Sequence, residues 1–421
     1  MKNACVLLLI PTLSYRARAF VAAAGFLDLE IVVGSERTQA LAELLPGTSL
    51  TFDLSNPEAA VKRIVDASRD KPFNAIVGVD EETVVIASMA SERLSLPHNP
   101  VSSVQATRDK YLMRQRFSAG GLLSPKTRLY TTDQNPNDVS EEVAYPCVLK
   151  PTFLSASRGV IRADNEHDFE KAFHRISNLL SDYRVTGQGG AAARQILVED
   201  YIPGVEVALE GILPDGKLKL LALFDKPDPL EGPTFTETIY VTPSRLAKEL
   251  QDEIVDTTKN ALKAIGIERG PVHAELRINA SGIYVIEIAA RSIGGYCSEV
   301  LRFDDRITQR GRSNGFSLEE LILRNAIGED IRPLERESQS AGVMMVPAPQ
   351  AGILKEAKGV EVARKIPGIE NIIIAVPVGQ KVEVLPESSR YLGFIFARGE
   401  NPEFVEEAIR AAHEKLEIVI T

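Results

Sequence analysis

Two glutamates sit where a folded chain tolerates them least. The segments His273-Ala-Glu275-Leu-Arg277-Ile278 and Ile283-Tyr-Val-Ile286-Glu287-Ile-Ala-Ala-Arg291 are rich in apolar and β-branched residues, the composition of buried strands. A carboxylate inside such a strand is strongly disfavoured unless something neutralises it. Neighbouring strands would bring Glu275 and Glu287 face to face. The neutraliser this arrangement favours is a divalent cation, and hard oxygen donors select Mg²⁺, with Mn²⁺ as the alternative. Mg²⁺ held in this way bridges substrate phosphates, so nucleotide chemistry is the first expectation.

Bulk properties narrow the class. A chain of 421 residues, 44% hydrophobic and 25% charged, can bury a sizeable core. Its net charge of −10, from 48 basic and 58 acidic residues, argues against a nucleic-acid partner and against an anionic membrane surface. Cys5, Cys147 and Cys297 are far apart and form no CxxC pair, and the five histidines are scattered. Neither a disulfide framework nor a zinc site follows, and free thiols point to a reducing, cytoplasmic setting. No apolar run reaches membrane-spanning length. Ala4–Ile10, broken by Pro11, Arg16 and Arg18, reads as a first strand leading to a helix rather than a signal peptide.

The expected architecture is multidomain, α/β and α+β. Residues 1–105 alternate strand and helix signals, including strands at Ala4–Ile10, Glu30–Val33 and Ala75–Val79 and a helix at Glu82–Leu94, as in a doubly wound α/β domain. No GxGxxG follows the first strand. Residues 106–330 form the central unit, with a lid at about 145–205. A helix is expected from Ser102 to Gly121, carrying Asp109-Lys110, and another from Asn165 to Leu180, opened by Asn165 and Asp168 as a capping pair. The Gly-rich stretch Thr186–Arg194 reads as a mobile connector. Residues 331–421 read as a separate small α+β unit, with strands at Val343–Val346, Ile372–Val378 and Leu392–Phe396 and a helix at Pro402–Leu416.

Lys150 ends the strand Pro146–Lys150, and a small-residue loop, Ser155-Ala-Ser157-Arg158-Gly159-Val160, follows it. Small residues let backbone N–H groups approach phosphate oxygens, and a lysine adds a point charge. This is not a Walker pattern, and an ordinary hairpin turn explains the loop equally well. Glu199 ends another apolar strand, followed by Tyr201-Ile202 and, after Pro203-Gly204, by Glu206. Such a segment can present backbone groups and a carboxylate to an adenine edge, with Glu206 accepting from ribose hydroxyls. Each glutamate alone is equally well a solvated rim residue.

Taken together, these residues resemble the ATP-grasp superfamily over about residues 1–330, and the C-terminal unit resembles that of its carboxylase-like members. The resemblance is carried by Asp109-Lys110, Lys150 with SASRGV, Val198-Glu199-Asp-Tyr-Ile-Pro-Gly-Val-Glu206, His273-Ala-Glu275 and Glu287-Ile-Ala-Ala-Arg291, in the family's order. It implies that Lys110 and Lys150 contact ATP phosphates and that Ser155, Ser157, Arg158 and Gly159 close over them. It implies that Glu199, Tyr201, Ile202 and Glu206 hold adenosine, and that Glu275 and Glu287 hold Mg²⁺. Arg291 would stabilise an acyl phosphate and its tetrahedral intermediate. Many members carry Asn two residues after the second metal glutamate, but here that position is Ala289. The form Glu287-Ile-Ala-Ala-Arg291-Ser-Ile-Gly294-Gly295 is similar to the L-amino acid ligases, which make dipeptides and carry a further upstream glutamate. Glu237 is the candidate for that ligand, its alternative being an exposed loop residue.

The implied reaction is ADP-forming ligation of a carboxylate to an amine through an acyl phosphate, with amino acids as the small-molecule substrates. Arg291 and the Gly294-Gly295 backbone would serve the oxyanion, unless the glycines only allow a turn. His273 reads as structural. Homodimers are common among relatives, so a homodimer is compatible with this reading. A purine-biosynthesis or biotin-carboxylase-like enzyme is the alternative, although Ala290 and Gly294-Gly295 depart from the purine pattern and no biotinyl-acceptor Met-Lys-Met occurs. A non-catalytic ATP sensor is a third reading.

Overall fold

The computed structural model describes residues 4–37, 49–305, 315–388 and 390–421. Its N-terminal part is a four-stranded parallel sheet in the spatial order Ser49–Thr51, Glu30–Ser35, Cys5–Leu9, Ala75–Gly78. The central strand, Cys-Val-Leu-Leu-Leu, is buried at every position, as a parallel strand covered on both faces must be. Val6 and Leu8 pack into one core and Cys5, Leu7 and Leu9 into another, so successive side chains serve opposite faces. The helices Ala17–Phe26, Pro57–Asp70 and Val84–Arg93 complete the unit. The loops leaving the carboxyl ends of strands Cys5–Leu9 and Ala75–Gly78 carry Leu13–Arg16 and Asp80–Glu82, which line the large cavity of the molecule.

The helix expected over 102–121 is two helices, Val101–Arg108 and Lys110–Ala119. Apolar periodicity runs through the junction, but Asp109 breaks it. Its backbone is extended, and its carboxylate accepts from the amides of Tyr111 and Leu112 (2.9 and 3.2 Å) as an N-cap. Lys110 thereby becomes the first residue of a new helix, its own amide donating to the Thr152 carbonyl at 2.9 Å.

The segment expected as a lid belongs to a four-stranded antiparallel sheet in the order Thr127–Thr131, Gln195–Asp200, Cys147–Pro151, Ile161–Ala163, backed by helix Glu166–Ser181. Asn165 caps this helix through the Asp168 amide, as its spacing predicts. The Gly-rich stretch expected as a mobile connector is helical. Tyr183–Gly189 is an α-helix and Gly190–Arg194 a 3₁₀ turn. Gly189 lies so close to the Phe153 ring that a Cβ would come within 2.3 Å of it, so glycine here is a packing requirement.

The central sheet has eight strands in the order Gly282–Ala289, Gly270–Asn279, Val205–Leu213, Lys219–Asp225, Ile239–Thr242, Ser340–Val346, Gly393–Gly399, Ile369–Ile374. Three of these belong to the segment expected as a separate C-terminal unit. They continue the sheet because Ile239–Thr242 pairs antiparallel with Ser340–Val346 in the register Ile239↔Met344, Thr242↔Ala341. All four residues of Ile239–Thr242 are buried, and an unpaired buried edge would leave its backbone groups unsatisfied. One core, including Phe20, Ile293, Phe303, Leu321, Met345 and Phe394, runs through the N-terminal, central and C-terminal segments. No described helix is long and apolar enough to cross a membrane.

Replacing Asp109 by Ala is expected to lower stability by about 1 kcal/mol through loss of the cap, whereas Asp109→Asn should hold it, because Asn caps as well as Asp. Urea unfolding midpoints of the two variants check this.

Candidate active site

Strands Gly270–Asn279 and Gly282–Ala289 pair with Glu275 directly opposite Glu287, and a bulge follows Glu275. Alternation then turns Leu276, Val285 and Ile288 into the core and His273, Glu275, Arg277 and Glu287 toward a cavity of about 690 Å³. The opposed pair expected from the sequence is therefore present and faces open space.

Lys110, at the start of its helix, places its ammonium 3.4 Å from Glu287 and donates to the Leu154 carbonyl at 2.7 Å. Lys150, at the end of strand Cys147–Pro151, lies 2.5 Å from Glu199. Glu199 was expected to accept from a nucleobase amine. Instead its carboxylate is buried between Lys150 and Arg114, whose Nε donates to it at 2.7 Å. Burial would raise the Glu199 carboxyl, but Arg114 and Lys150 outweigh it and hold it below the ordinary range. Burial also lowers the Lys150 ammonium, against the pull of Glu199.

Beside this pair lies a second charged group. Lys226 Nζ sits 2.6 Å from Glu206, 2.9 Å from Glu237 and 3.0 Å from Glu275, with only 3% of its side chain exposed. Arg277 Nε donates to the other Glu206 oxygen at 2.7 Å, and the Tyr240 hydroxyl donates to Glu237 at 2.6 Å. Burial, helped by Glu275, pushes Glu237 up to about 7 against the pull of Lys226. Glu275 is held low because Lys226 and His273 outweigh its burial. Oxygens of Glu206, Glu237 and Glu275 lie within 4.8 Å of one another, and the Lys226 ammonium sits among them.

Arg291 is half-buried, with Nε 2.7 Å from Glu81 and Nη1 donating to the Ser292 carbonyl at 2.8 Å. Burial alone would lower its guanidinium, but Glu81 and Glu287 reverse the shift. Arg16, from the N-terminal unit, pairs with Asp80 at 3.2 Å and donates to Ser292 Oγ and the Ile293 carbonyl at 2.6 and 2.8 Å. It thus clamps the loop after Arg291. In that loop Gly295 has φ +60, and a Cβ there would meet Met345 Sδ at 2.4 Å, so the turn itself requires it. Gly294 has normal φ, and the atoms nearest a Cβ there are Arg16 Nη2 and the Tyr15 hydroxyl, at 3.8 and 3.9 Å. His273 is buried near Glu275 and Glu210, and desolvation lowers its pKa.

Ser155, Ala156 and Ser157 line the cavity. Ala156 and Ser157 adopt positive φ, a strained backbone of the kind found at functional loops. The loop is also the connection of a hairpin, since strands Cys147–Pro151 and Ile161–Ala163 pair antiparallel. Arg158 and Gly159 do not line the cavity. The Arg158 Nε donates to the Glu387 carbonyl at 3.0 Å, and the Gly159 amide to the Pro386 carbonyl at 2.9 Å. Tyr201 and Ile202 line the apolar end of the cavity with Val148, Leu230 and Phe235. Sequence reasoning missed Glu81, Arg114 and Lys226. Lys226 carries the signal that singled out Lys150, a lysine directly after an apolar strand.

Glu199→Gln is expected to destabilise the fold by about 3 kcal/mol or more, because it strips the charge from between two buried cations. Since folding depresses its pKa, the stability Glu199 contributes is present above the ordinary carboxylate range and is lost as pH falls through the folded value. Urea titrations from pH 7 down to pH 3 should show wild type converging toward the variant.

Comparison with known proteins places this geometry. Residues 143–300 match the ATP-grasp domain, 21–98 the ATP-grasp N-terminal domain and 344–421 the L-amino acid ligase C-terminal domain 2. Alanine–anticapsin ligase of Bacillus subtilis (strain 168) is 31% identical over 251 residues, 56% of this chain, and the match spans about half (52%) of that protein's length. The L-amino acid ligase from Bacillus licheniformis superposes over the whole of both chains with a TM-score of 0.79 at 24% identity. A carboxyaminoimidazole ribonucleotide synthase from Aspergillus clavatus, complexed with ATP, superposes over 98% of each chain with a TM-score of 0.72 at 16% identity. The chain belongs to the ATP-grasp superfamily, and within it resembles the L-amino acid ligases, whose C-terminal domain its last segment matches.

Proposed function

We propose that the protein is an ATP-dependent, ADP-forming carboxylate–amine ligase that joins an L-amino acid to an amine or second amino acid through an acyl phosphate. One observation carries this reading: Glu275 and Glu287 oppose each other on the floor of a cavity whose walls bring Lys110, Lys150 and Arg291 to the same space. The match to an L-amino acid ligase C-terminal domain supports amino acids as substrates.

In this reading Lys110 and Lys150 hold phosphate oxygens, and Ser155 and Ser157 present the loop backbone to them. Arg158 and Gly159 brace that loop from behind. Tyr201 and Ile202 border the adenine, and Glu206 meets the ribose. Glu199 keeps Lys150 charged and aimed, rather than touching the base. Glu275 and Glu287, opposite each other in the strand pair, offer hard carboxylate oxygens suited to a divalent cation, and Glu237 has an oxygen close to Glu275. When bound, Mg²⁺ neutralises phosphate charge during transfer.

A carboxylate is a poor electrophile, and phosphorylation gives it a leaving group. Amine attack then creates an oxyanion, and Arg291 stands where it can donate to that charge, with the Gly294 backbone beside it. Glu81 sets the Arg291 side chain in place for this. The ring stack of Tyr15 on Tyr296 (4.2 Å) and the contact of Tyr296 with Phe394 (4.5 Å) form an apolar wall suited to a side chain and to excluding water.

Phosphate release from ATP and Mg²⁺ against a matrix of paired amino acids, with product masses, tests the reading. Release confined to particular pairs, with ADP and a dipeptide mass, is the expected result, and silence across all carboxylate–amine pairs refutes it. Glu287→Ala should abolish turnover in a protein that still folds. Arg291→Ala should lower kcat about 10²–10³-fold with little change in the KM for ATP. An Arg291→Ala effect limited to ATP binding would contradict its assigned role.

A further inference from the structure

We propose that Arg390 binds the carboxylate of the amine-bearing substrate, which makes that substrate an amino acid rather than a simple amine. The inference rests on the ligase reading above. Five other cations line the cavity, and each is engaged by a carboxylate: Arg16, Lys110, Lys150, Arg277 and Arg291 all sit in the ion pairs already described. Among the described residues, Arg390 is the lining cation whose side chain has no such partner. Its recorded hydrogen bond is made by its backbone amide, to Ser388 Oγ at 3.1 Å.

Its position suits a substrate contact. Described residues on either side of Arg390 are tied to the rest of the molecule. On one side Pro386 and Glu387 accept from the Ser155–Gly159 loop, and Arg175 Nη2 donates to Glu387 at 2.7 Å. On the other, the Leu392 amide donates to the Val346 carbonyl at 2.9 Å, tying the segment to the central sheet. Arg390 is itself exposed and lines the cavity, and its neighbours Pro386 and Glu387 meet the loop that would cover the phosphates.

Charge makes the same point. Acidic side chains outnumber basic ones in the lining, and Glu82 and Asp200 add carboxylates with no recorded ion pair. Such a wall repels a free carboxylate unless one cation remains uncommitted. A guanidinium fork matches a carboxylate in two parallel hydrogen bonds, which an ammonium does not reproduce.

The test uses the full-length protein and the amino-acid pair that gives the most phosphate release. Saturation curves are measured for the amine substrate and for its carboxamide analogue, with wild type, Arg390→Met and Arg390→Lys. Wild type should favour the free acid over the amide. Arg390→Met should raise the KM for the acid about tenfold or more while barely moving the KM for the amide or ATP, and Arg390→Lys should recover part of the loss. Equal effects of Arg390→Met on acid and amide, or no effect on either, overturn the assignment of Arg390 while leaving the ligase reading intact. A wild type silent with every carboxylate–amine pair overturns both.

Discussion

Taking an ionised group out of water costs several kcal/mol, and the cavity wall of this protein does so many times over. Lys150, Glu199 and Lys226 are almost wholly enclosed, and each is stable only because an opposite charge lies within hydrogen-bonding distance. The pairs are also the joints of the molecule. Arg114–Glu199–Lys150 links the helix after Asp109 to two lid strands. Lys226 joins strands Val205–Leu213 and Gly270–Asn279 to Glu237, just ahead of strand Ile239–Thr242. Arg291–Glu81 and Arg16–Asp80 fasten the central sheet to the N-terminal unit. The charges that chemistry would need and the charges that hold the parts in register are largely the same ones.

This double duty shapes what each residue can do. Glu199 already accepts from Arg114 and Lys150, and its charge helps keep Lys150 protonated despite burial. Glu237 is drawn toward neutrality by burial and by Glu275, while the Lys226 ammonium and the Tyr240 hydroxyl hold its position. Arg291 remains a cation at any working pH because Glu81 and Glu287 more than offset its burial.

The opposed Glu275 and Glu287 were legible in the sequence because a carboxylate inside an apolar, β-branched strand has few structural solutions. Lys150 and Glu199 were each visible as charges at strand ends, but their pairing was not, since register between strands far apart in sequence leaves no local trace. Asp109 hid inside an unbroken helical pattern. Its capping bonds depend on one side-chain rotamer, which periodicity does not report. The C-terminal strands read as a separate unit because nothing in a strand's composition tells which edge it will meet. Thr186–Arg194 read as mobile because its glycines suggest freedom, whereas at Gly189 the cause is the neighbouring Phe153 ring.

The pairing of Ile239–Thr242 with Ser340–Val346 bears on how proteins of this shape diversify. A C-terminal segment that supplies three strands of a shared sheet is tied to it, since its removal would strip one side of the central strands and expose the buried edge Ile239–Thr242. New specificities must then arise by drift within the loops that the segment carries over the cavity, while its strands stay under the constraint of a sheet they do not own alone.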